Sequence, residues 1–118
     1  MIGDPGIFML HNCGVSGLSE RTNGLHTGSN GGYQAVNLAI LTGATRVLLL
    51  GYDMHFDGTR SHWHKGHPVK VDEGRYSHFA RNFNSMLPQL KQMSVEVVNC
   101  TPGSLISCFR RAELSAVL

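Results

Sequence analysis

The chain has 118 residues, of which 42% are hydrophobic and only 15% are charged, a balance typical of a globular domain and not of a disordered segment. The formal net charge of +2, with ten Lys and Arg spread along the chain, gives no reason to expect a specific nucleic-acid partner. No apolar run approaches the ~20 residues of a membrane helix and no signal peptide is evident, so we expect a cytoplasmic protein without a membrane partner.

The amino-terminal part of the chain contains few regular patterns. Apolar residues 7–10 predict a short strand, and the polar, glycine-rich segment 13–30 is predicted to be irregular. Long irregular segments are commonly functional. The three cysteines are widely spaced and form neither a disulfide framework nor a CxxC metal pair, so we expect free thiols.

The stretch of residues 27–54 carries the strongest local signals. Its polar, glycine-rich opening has three side chains that can cap a helix: Thr27, Ser29 and Asn30. Apolar residues at helical spacing predict a helix over residues 31–42, which Gly43 ends. An unbroken apolar run over residues 46–51 predicts a parallel strand that is buried on both faces and central in its sheet. Asp53 follows at the carboxyl end of that strand, where open α/β sheets bind ligands.

A second irregular segment, residues 54–74, is rich in histidine. Three imidazoles, from His62, His64 and His67, are spaced closely enough to suggest a zinc site. No helix fixes these residues and no standard zinc motif matches, so we favour a loop that closes over a ligand and expect no metal. Trp63 lies between two of the histidines, and an indole ring there is suited to stacking on a nucleotide base.

The remaining sequence predicts two helices and one strand. The first helix covers residues 76–93 and is interrupted at Pro88. A strand over residues 95–99 and a turn come next, and Ser104 is a candidate N-cap for a last helix. Alternating strands and helices predict a small parallel α/β sheet with flanking helices, formed by the chain as a single domain. Only three strands are evident, so exposed sheet edges lead us to expect a homo-oligomer.

Four segments, taken in order, resemble one group of Rossmann-like proteins. They are the run NGGYQAVNLAILTGATRVLLLGYDM, a histidine-bearing loop followed by a helix, VEVVNC, and TPGSLISCF. The group contains the bacterial sialyltransferases of glycosyltransferase family 42 and the related DUF115 proteins, including archaeal pterin diphosphokinases and short phage and prophage proteins. The resemblance spans residues 27–112 and corresponds to the carboxyl-terminal half of these proteins.

The resemblance implies a nucleotide site at the start of the first long helix. Its nucleotide-binding residues would be Thr27, Gly28, Ser29, Asn30, Gly31, Gly32, Trp63 and Ser104. A hydroxyl that the family carries at the position of Gly31 is missing here, so backbone N–H groups would hold the phosphate. By spacing, His78 matches the family's catalytic base, and Asp53 matches its acidic residue at the strand end.

The first strand of the family, with its glycine-asparagine-glycine-proline-serine loop, has no counterpart in this sequence. The chain is therefore either a half-length descendant or is completed by a partner. Three functions stay open: a transferase acting on a nucleotide-activated donor, a non-catalytic nucleotide-sequestering phage module, and a structural phage protein. In its simplest form the transferase is a glycosyltransferase that uses a CMP-linked sugar and requires no other cofactor.

Overall fold

The structure is a computed structural model that describes residues 6–7, 9–54 and 73–118. Its strands are β1 (His11–Gly14), β2 (Gly24–His26), β3 (Arg46–Leu49), β4 (Glu96–Asn99) and β5 (Arg110–Arg111). Its helices are α1 (Gly31–Leu41), α2 (Glu73–Asn82), α3 (Leu87–Met93) and α4 (Leu114–Val117), with a 3₁₀ helix at Phe83–Met86. The strand pairs of the described part are parallel, which confirms the predicted small, Rossmann-like α/β class with flanking helices.

The strands form a two-stranded sheet, β1-β2, and a three-stranded sheet in the order β3-β4-β5. The middle strand of the larger sheet is therefore β4, and the prediction that the strand over residues 46–51 is central was wrong. That strand is also shorter than predicted, because it ends at Leu49 and the side chain of Leu50 is 56% exposed. On the face of the sheet around Val98, the small α4 contributes the buried Val117 and the partly buried Leu114 to a small cluster, and Leu50 is not part of it.

The first strand was predicted over residues 7–10, but the structure places it later in the chain. The segment after it, predicted to be irregular, contains a second strand. β1 begins only at His11, whose N–H donates to the Asn23 carbonyl at 2.8 Å. β2 lies inside the segment that was predicted to be irregular. Each of these strands has only three or four residues, and the pairing between them, not a local pattern, defines them.

The carboxyl-terminal part confirms one prediction and corrects another. The helical region over residues 76–93 is interrupted as predicted, but at Phe83–Met86, because Pro88 is accommodated in the first turn of α3. No helix begins at Ser104: residues 105–109 lead into β5 without helical structure, and the last helix, α4, begins only at Leu114. The Ile106 carbonyl accepts from the buried Asn99 side chain at 3.1 Å, a bond that draws this segment onto the sheet.

The main core lies between the larger sheet and the helices α1 to α3, and Phe83 stands at its centre. The Phe83 ring packs against three others, with centroid distances of 5.2 Å to Tyr33, 6.2 Å to Tyr52 and 6.0 Å to Phe109. These rings belong to the start of α1, the residues after β3 and the residues before β5. The aromatic cluster therefore fixes the start of α1 relative to the carboxyl end of β3 and the start of β5.

Candidate functional site

The loop before α1 is held by two asparagine side chains. Asn30 is the N-cap of α1: its Oδ1 accepts from the Tyr33 N–H at 2.8 Å, and its Nδ2 donates to the Gly28 carbonyl at 3.1 Å. Asn82, 54 residues away in the chain, donates to the same carbonyl at 2.6 Å. The shape of the loop thus depends on the end of α2 as well as on α1.

Gly28 is required by the packing of the loop. Its φ of +52° lies in the left-handed region, and a Cβ there would stand 2.1 Å from Cγ of Tyr33. Tyr33 is fully buried, and its hydroxyl donates to the Gly17 carbonyl at 2.8 Å while Ser85 Oγ lies at the same distance. Burial raises the pKa of Tyr33, which keeps this donor protonated. The glycine at position 28 is therefore explained by contact with Tyr33 and does not by itself indicate a ligand.

The first turn of α1 presents two backbone donors. Tyr33 N–H is bonded to the cap, but the N–H groups of Gly31 and Gly32 donate to no residue in the described ranges. The first turn contains no acidic side chain that would compete for them. A Cβ at Gly31 would have no heavy atom of the described residues within 4 Å, so nothing in the described part fills the space beside it. Two free N–H groups and the positive end of the helix dipole are suited to an anion.

Gly32 differs from Gly31 because an aromatic ring covers it. A Cβ at Gly32 would stand 2.8 Å from Cε2 of Tyr52, whose hydroxyl donates to the Gly32 carbonyl at 3.1 Å. Burial raises the pKa of Tyr52, so this hydroxyl also stays protonated. Tyr52 thereby joins the residues after β3 to the first turn of α1, and the absence of a side chain at position 32 makes that contact possible.

The backbone around Tyr52 is fixed by the turn that follows β4. Its N–H donates to Thr101 Oγ1 at 3.0 Å, and its carbonyl accepts from Ser104 Oγ at 2.5 Å. Ser104 Oγ also accepts from the Ile106 N–H at 3.1 Å, and the residue is only 3% exposed. Ser104, predicted to contact the nucleotide, thus has both hydroxyl functions engaged within the protein. A ligand contact there remains a prediction that would require these bonds to be exchanged.

Asp53 lies at the carboxyl edge of the larger sheet, as the sequence predicted. Its backbone carbonyl accepts from the Leu105 N–H at 3.0 Å, which ties it to the turn after β4. The residue is exposed, and its carboxylate forms no hydrogen bond or ion pair with another residue of the described ranges. The residue before it, Tyr52, contacts Gly32 and joins β3 to the start of α1. Asp53 therefore lies next to this connection.

His78 is exposed on α2, and its ring centroid is 6.4 Å from that of Phe79. It stands one helical turn before Asn82, the residue that bonds to the Gly28 carbonyl. Residues four positions apart lie on the same face of a helix, so His78 and Asn82 share a face of α2. The structure therefore brings α2 to the glycine-rich loop, while no hydrogen bond joins His78 to any described residue of that loop.

The other predicted loop residues have different exposures. Thr27 Oγ1 accepts from the Ser29 N–H at 3.3 Å, and Ser29 itself is exposed with a φ of +65°. Trp63 and the three histidines at 62, 64 and 67 lie outside the described residues. Within the ranges that are described, no three His, Cys, Asp or Glu side chains are grouped closely enough to hold a metal ion.

Sequence reasoning missed the polar residues that shape the site from a distance. Tyr52 directly precedes Asp53 in the sequence, but no local signal identified it as the ring that covers Gly32. In the sequence Asn82 is only one residue of a predicted helix. Its hydrogen bond to the Gly28 carbonyl depends on how the chain folds. Asn37, fully buried in α1, stands beside the apolar residues Val36 and Ile40, which was the one available signal that it faces the core.

Comparison with known proteins identified no relative: protein-family models, curated proteins and solved structures each gave no match. None of the helices in the described part is long and apolar enough to cross a membrane.

Proposed function

We propose that this protein binds a nucleotide through a phosphate group at the start of α1. The observation that carries the proposal is the pair of N–H groups of Gly31 and Gly32, which donate to no described residue, together with the space beside Gly31, which no described residue occupies. Both donors are at the positive end of an eleven-residue helix whose first turn is held by the Asn30 cap. Phosphate oxygens accept hydrogen bonds from such groups, and the helix dipole favours their negative charge.

The surroundings of these donors support a ligand larger than a free phosphate ion. Tyr52 joins the first turn of α1 to the carboxyl edge of the sheet, where the exposed carboxylate of Asp53 has no partner among the described residues. Parallel α/β sheets bind their ligands at this edge. A carboxylate would repel a phosphate but would accept hydrogen bonds from hydroxyl groups of a ribose. This combination favours a nucleotide over an inorganic anion.

Titration calorimetry with CMP tests the proposal. Gly31→Val places a branched side chain beside the two N–H groups, in space that no described residue occupies. We expect this variant to bind CMP about 10-fold or more weakly, since losing one hydrogen bond to a charged group costs about 1.5–3 kcal/mol. Ala35→Val is the matched control, because it adds a β-branched residue at another exposed position of the same helix. Equal affinities in all three proteins would contradict a site at the start of α1.

A second candidate function is transfer from a CMP-activated sugar or another nucleotide-linked donor. The observation in its favour is the exposed His78, which shares a face of α2 with the loop-contacting Asn82. In this proposal the imidazole takes the proton of an acceptor hydroxyl, Asp53 orients the reactants, and the helix N–H groups stabilise the leaving phosphate. His78→Ala should then reduce turnover by ~100-fold or more while CMP binding persists.

The outcomes separate the three functions. Binding with turnover supports the transferase, and binding without turnover for any donor supports a nucleotide-sequestering module. Absence of nucleotide binding supports a structural role, as in a phage protein. The same proposal includes a homo-oligomeric state and a location in the cytoplasm of a bacterial host. Sedimentation velocity tests the oligomeric state.

A further inference from the structure

A cavity of about 320 Å³ lies at the carboxyl ends of β4 and β5. One wall is the end of β4 with the turn that follows it, and the other is the last residue of β5 with the two residues after it. Cavities that bind small molecules have volumes of roughly 300–1,000 Å³, so this one suits a small ligand. Parallel α/β sheets bind their ligands at this edge. None of the residues predicted to bind the nucleotide belongs to its walls.

Hydrogen bonds hold the two walls of this cavity in place. The Ala112 N–H donates to the Asn99 carbonyl at 3.3 Å, which continues the pairing of β5 with β4. The Oδ1 of the buried Asn99 accepts from the Thr101 N–H at 3.1 Å. The Thr101 hydroxyl in turn donates to the Leu49 carbonyl at 3.2 Å. These buried polar groups bond within the protein, so they shape the cavity and leave the contacts with a ligand to other side chains.

Arg111 brings to this cavity a positive charge that the backbone orients. Its Nη2 donates to the carbonyls of Ser104 and Ile106, the second at 3.3 Å. Nε and Nη1 bond to no residue of the described ranges, and no carboxylate in those ranges forms an ion pair with Arg111. Carbonyl groups hold a guanidinium in place without neutralising it. The remaining N–H groups of Arg111 are therefore suited to a carboxylate of a ligand.

Glu113 brings the opposite charge to the same cavity. It is two positions after Arg111 along the chain, and both residues line the cavity. The Glu113 side chain does not cap α4, which begins at the next residue, and its carboxylate forms no hydrogen bond or ion pair within the described part of the chain. The two charges thus line one cavity without pairing with each other. Such an arrangement is complementary to a ligand that carries both charges.

We propose that this cavity binds a small free α-amino acid. The carboxylate of the ligand accepts from the Arg111 guanidinium, and its ammonium group donates to the Glu113 carboxylate. A simple anion would be repelled by Glu113 and a simple amine by Arg111, so a zwitterion is the class that satisfies both. Apolar groups in the walls favour an aliphatic side chain of the size of valine or leucine; they belong to Cys100, Pro102 and Ala112. This site is independent of the proposed nucleotide site.

Titration calorimetry of the 118-residue protein with L-leucine at neutral pH tests the proposal. We expect a Kd of about 1 mM or tighter. Two control ligands each lack one charge: 4-methylpentanoate has no amino group and isoamylamine has no carboxylate. Each should bind at least ~10-fold more weakly, because it leaves one charged side chain of the cavity without a partner. No detectable binding of L-leucine, or equal binding of either control, overturns the proposal.

The variant Glu113→Gln removes the negative charge and keeps the size of the side chain. Because Glu113 is exposed and bonds to no described residue, we expect the melting temperature to stay close to that of the wild type. The affinity for L-leucine should fall about 5-fold or more, a smaller loss than for a fully buried charge pair. Glu20→Gln is the matched control, since it changes an exposed glutamate outside this cavity, and it should bind L-leucine as the wild type does. Equal affinities of the wild type and Glu113→Gln overturn the proposal.

Arg111→Gln and the amide spectrum test the other half of the site and its location. Arg111→Gln should weaken L-leucine binding at least as much as Glu113→Gln does, and an unchanged affinity overturns the role of the guanidinium. If Arg111→Gln does not fold, because its bonds to two carbonyls are lost, Glu113→Gln still decides the proposal. In the ¹H–¹⁵N spectrum of the wild type, L-leucine should shift the resonances of Thr101 and Ala112. Shifts that are absent there and confined to the start of α1 overturn the proposed location.

Discussion

Replacing Asn37 with alanine is expected to destabilise the protein strongly, because this buried side chain satisfies three backbone groups. Its Oδ1 accepts from the N–H groups of Ser19 and His26, and its Nδ2 donates to the Ser19 carbonyl at 3.0 Å. The side chain is fully buried in α1. Its bonds connect α1 with the loop after β1 and with the end of β2.

The size of the effect is estimated from these three bonds. A buried polar group that loses its partner costs about 1–3 kcal/mol. Three such groups give at least about 3 kcal/mol, even when a water molecule enters the space and replaces part of the bonding. Domains are stable by only about 5–15 kcal/mol, so the variant loses a large share of its stability. At roughly 3–5 °C for each kcal/mol, the melting temperature should fall by ~10 °C or more.

Thermal and urea unfolding of the wild type, Asn37→Ala and Asn84→Ala measure this difference. Asn84 is the matched control, since it is exposed and its amide donates to the Arg81 carbonyl at 2.9 Å. We expect the control to lose about 0.5 kcal/mol or less, as is usual for surface substitutions. Similar losses in the two variants would refute the view that Asn37 holds the β1–β2 region to α1.

Three further predictions concern the site and the core. Gly32→Val should melt several degrees below Gly31→Val. A Cβ at position 32 would stand 2.8 Å from the Tyr52 ring, whereas a Cβ at position 31 would contact no described residue. Equal melting temperatures would contradict this packing. The free energy of unfolding should fall as the pH rises from about 9 to about 11, since the folded state holds the Cys108 proton to a pKa of about 11 and the unfolded chain releases it earlier. Urea unfolding of Cys108→Ala should show a weaker fall over the same range, and an identical fall would exclude this thiol as its source. His78→Ala should keep CMP affinity within about two-fold, and a large loss of affinity would assign the imidazole to binding instead of proton transfer.

The sequence predicted well those elements whose signals are local. The helix α1 has a capping residue, Asn30, at its start, apolar residues on one face, and a glycine, Gly43 with a φ of +102°, just after its end. Each of these signals acts within a few residues. β3 and β4 were likewise marked by apolar runs. For these elements local preference and tertiary packing agree.

The remaining elements depend on contacts between distant residues, which a single sequence does not reveal. β1, β2 and β5 have only two to four residues each and are defined by their pairing partners. Residues 105–109 have a capping residue before them but form no helix, because the Leu105 N–H bonds to the Asp53 carbonyl and the Ile106 carbonyl to Asn99. Tertiary hydrogen bonds replaced the local preference there.

The same division applies to the candidate site. The glycine-rich loop and the strand-end Asp53 were visible in the sequence because each adjoins a regular element. The contacts that bring them together were not visible, since Tyr52 reaches Gly32 across 20 residues of sequence and Asn82 reaches Gly28 across 54. The sequence therefore indicated the candidate residues. The structure then showed that packing explains Gly28 and Gly32, whereas no described residue packs beside Gly31.

The central claim is that the backbone N–H groups of Gly31 and Gly32 bind the phosphate of a nucleotide. The most direct measurement is the amide ¹H–¹⁵N spectrum of the labelled protein during titration with CMP, with cytidine as the control ligand that lacks phosphate. We predict that the Gly31 and Gly32 resonances shift most, and that cytidine leaves them nearly unchanged. Saturating CMP that leaves both resonances in place, or shifts only residues far from the start of α1, would contradict the proposed site.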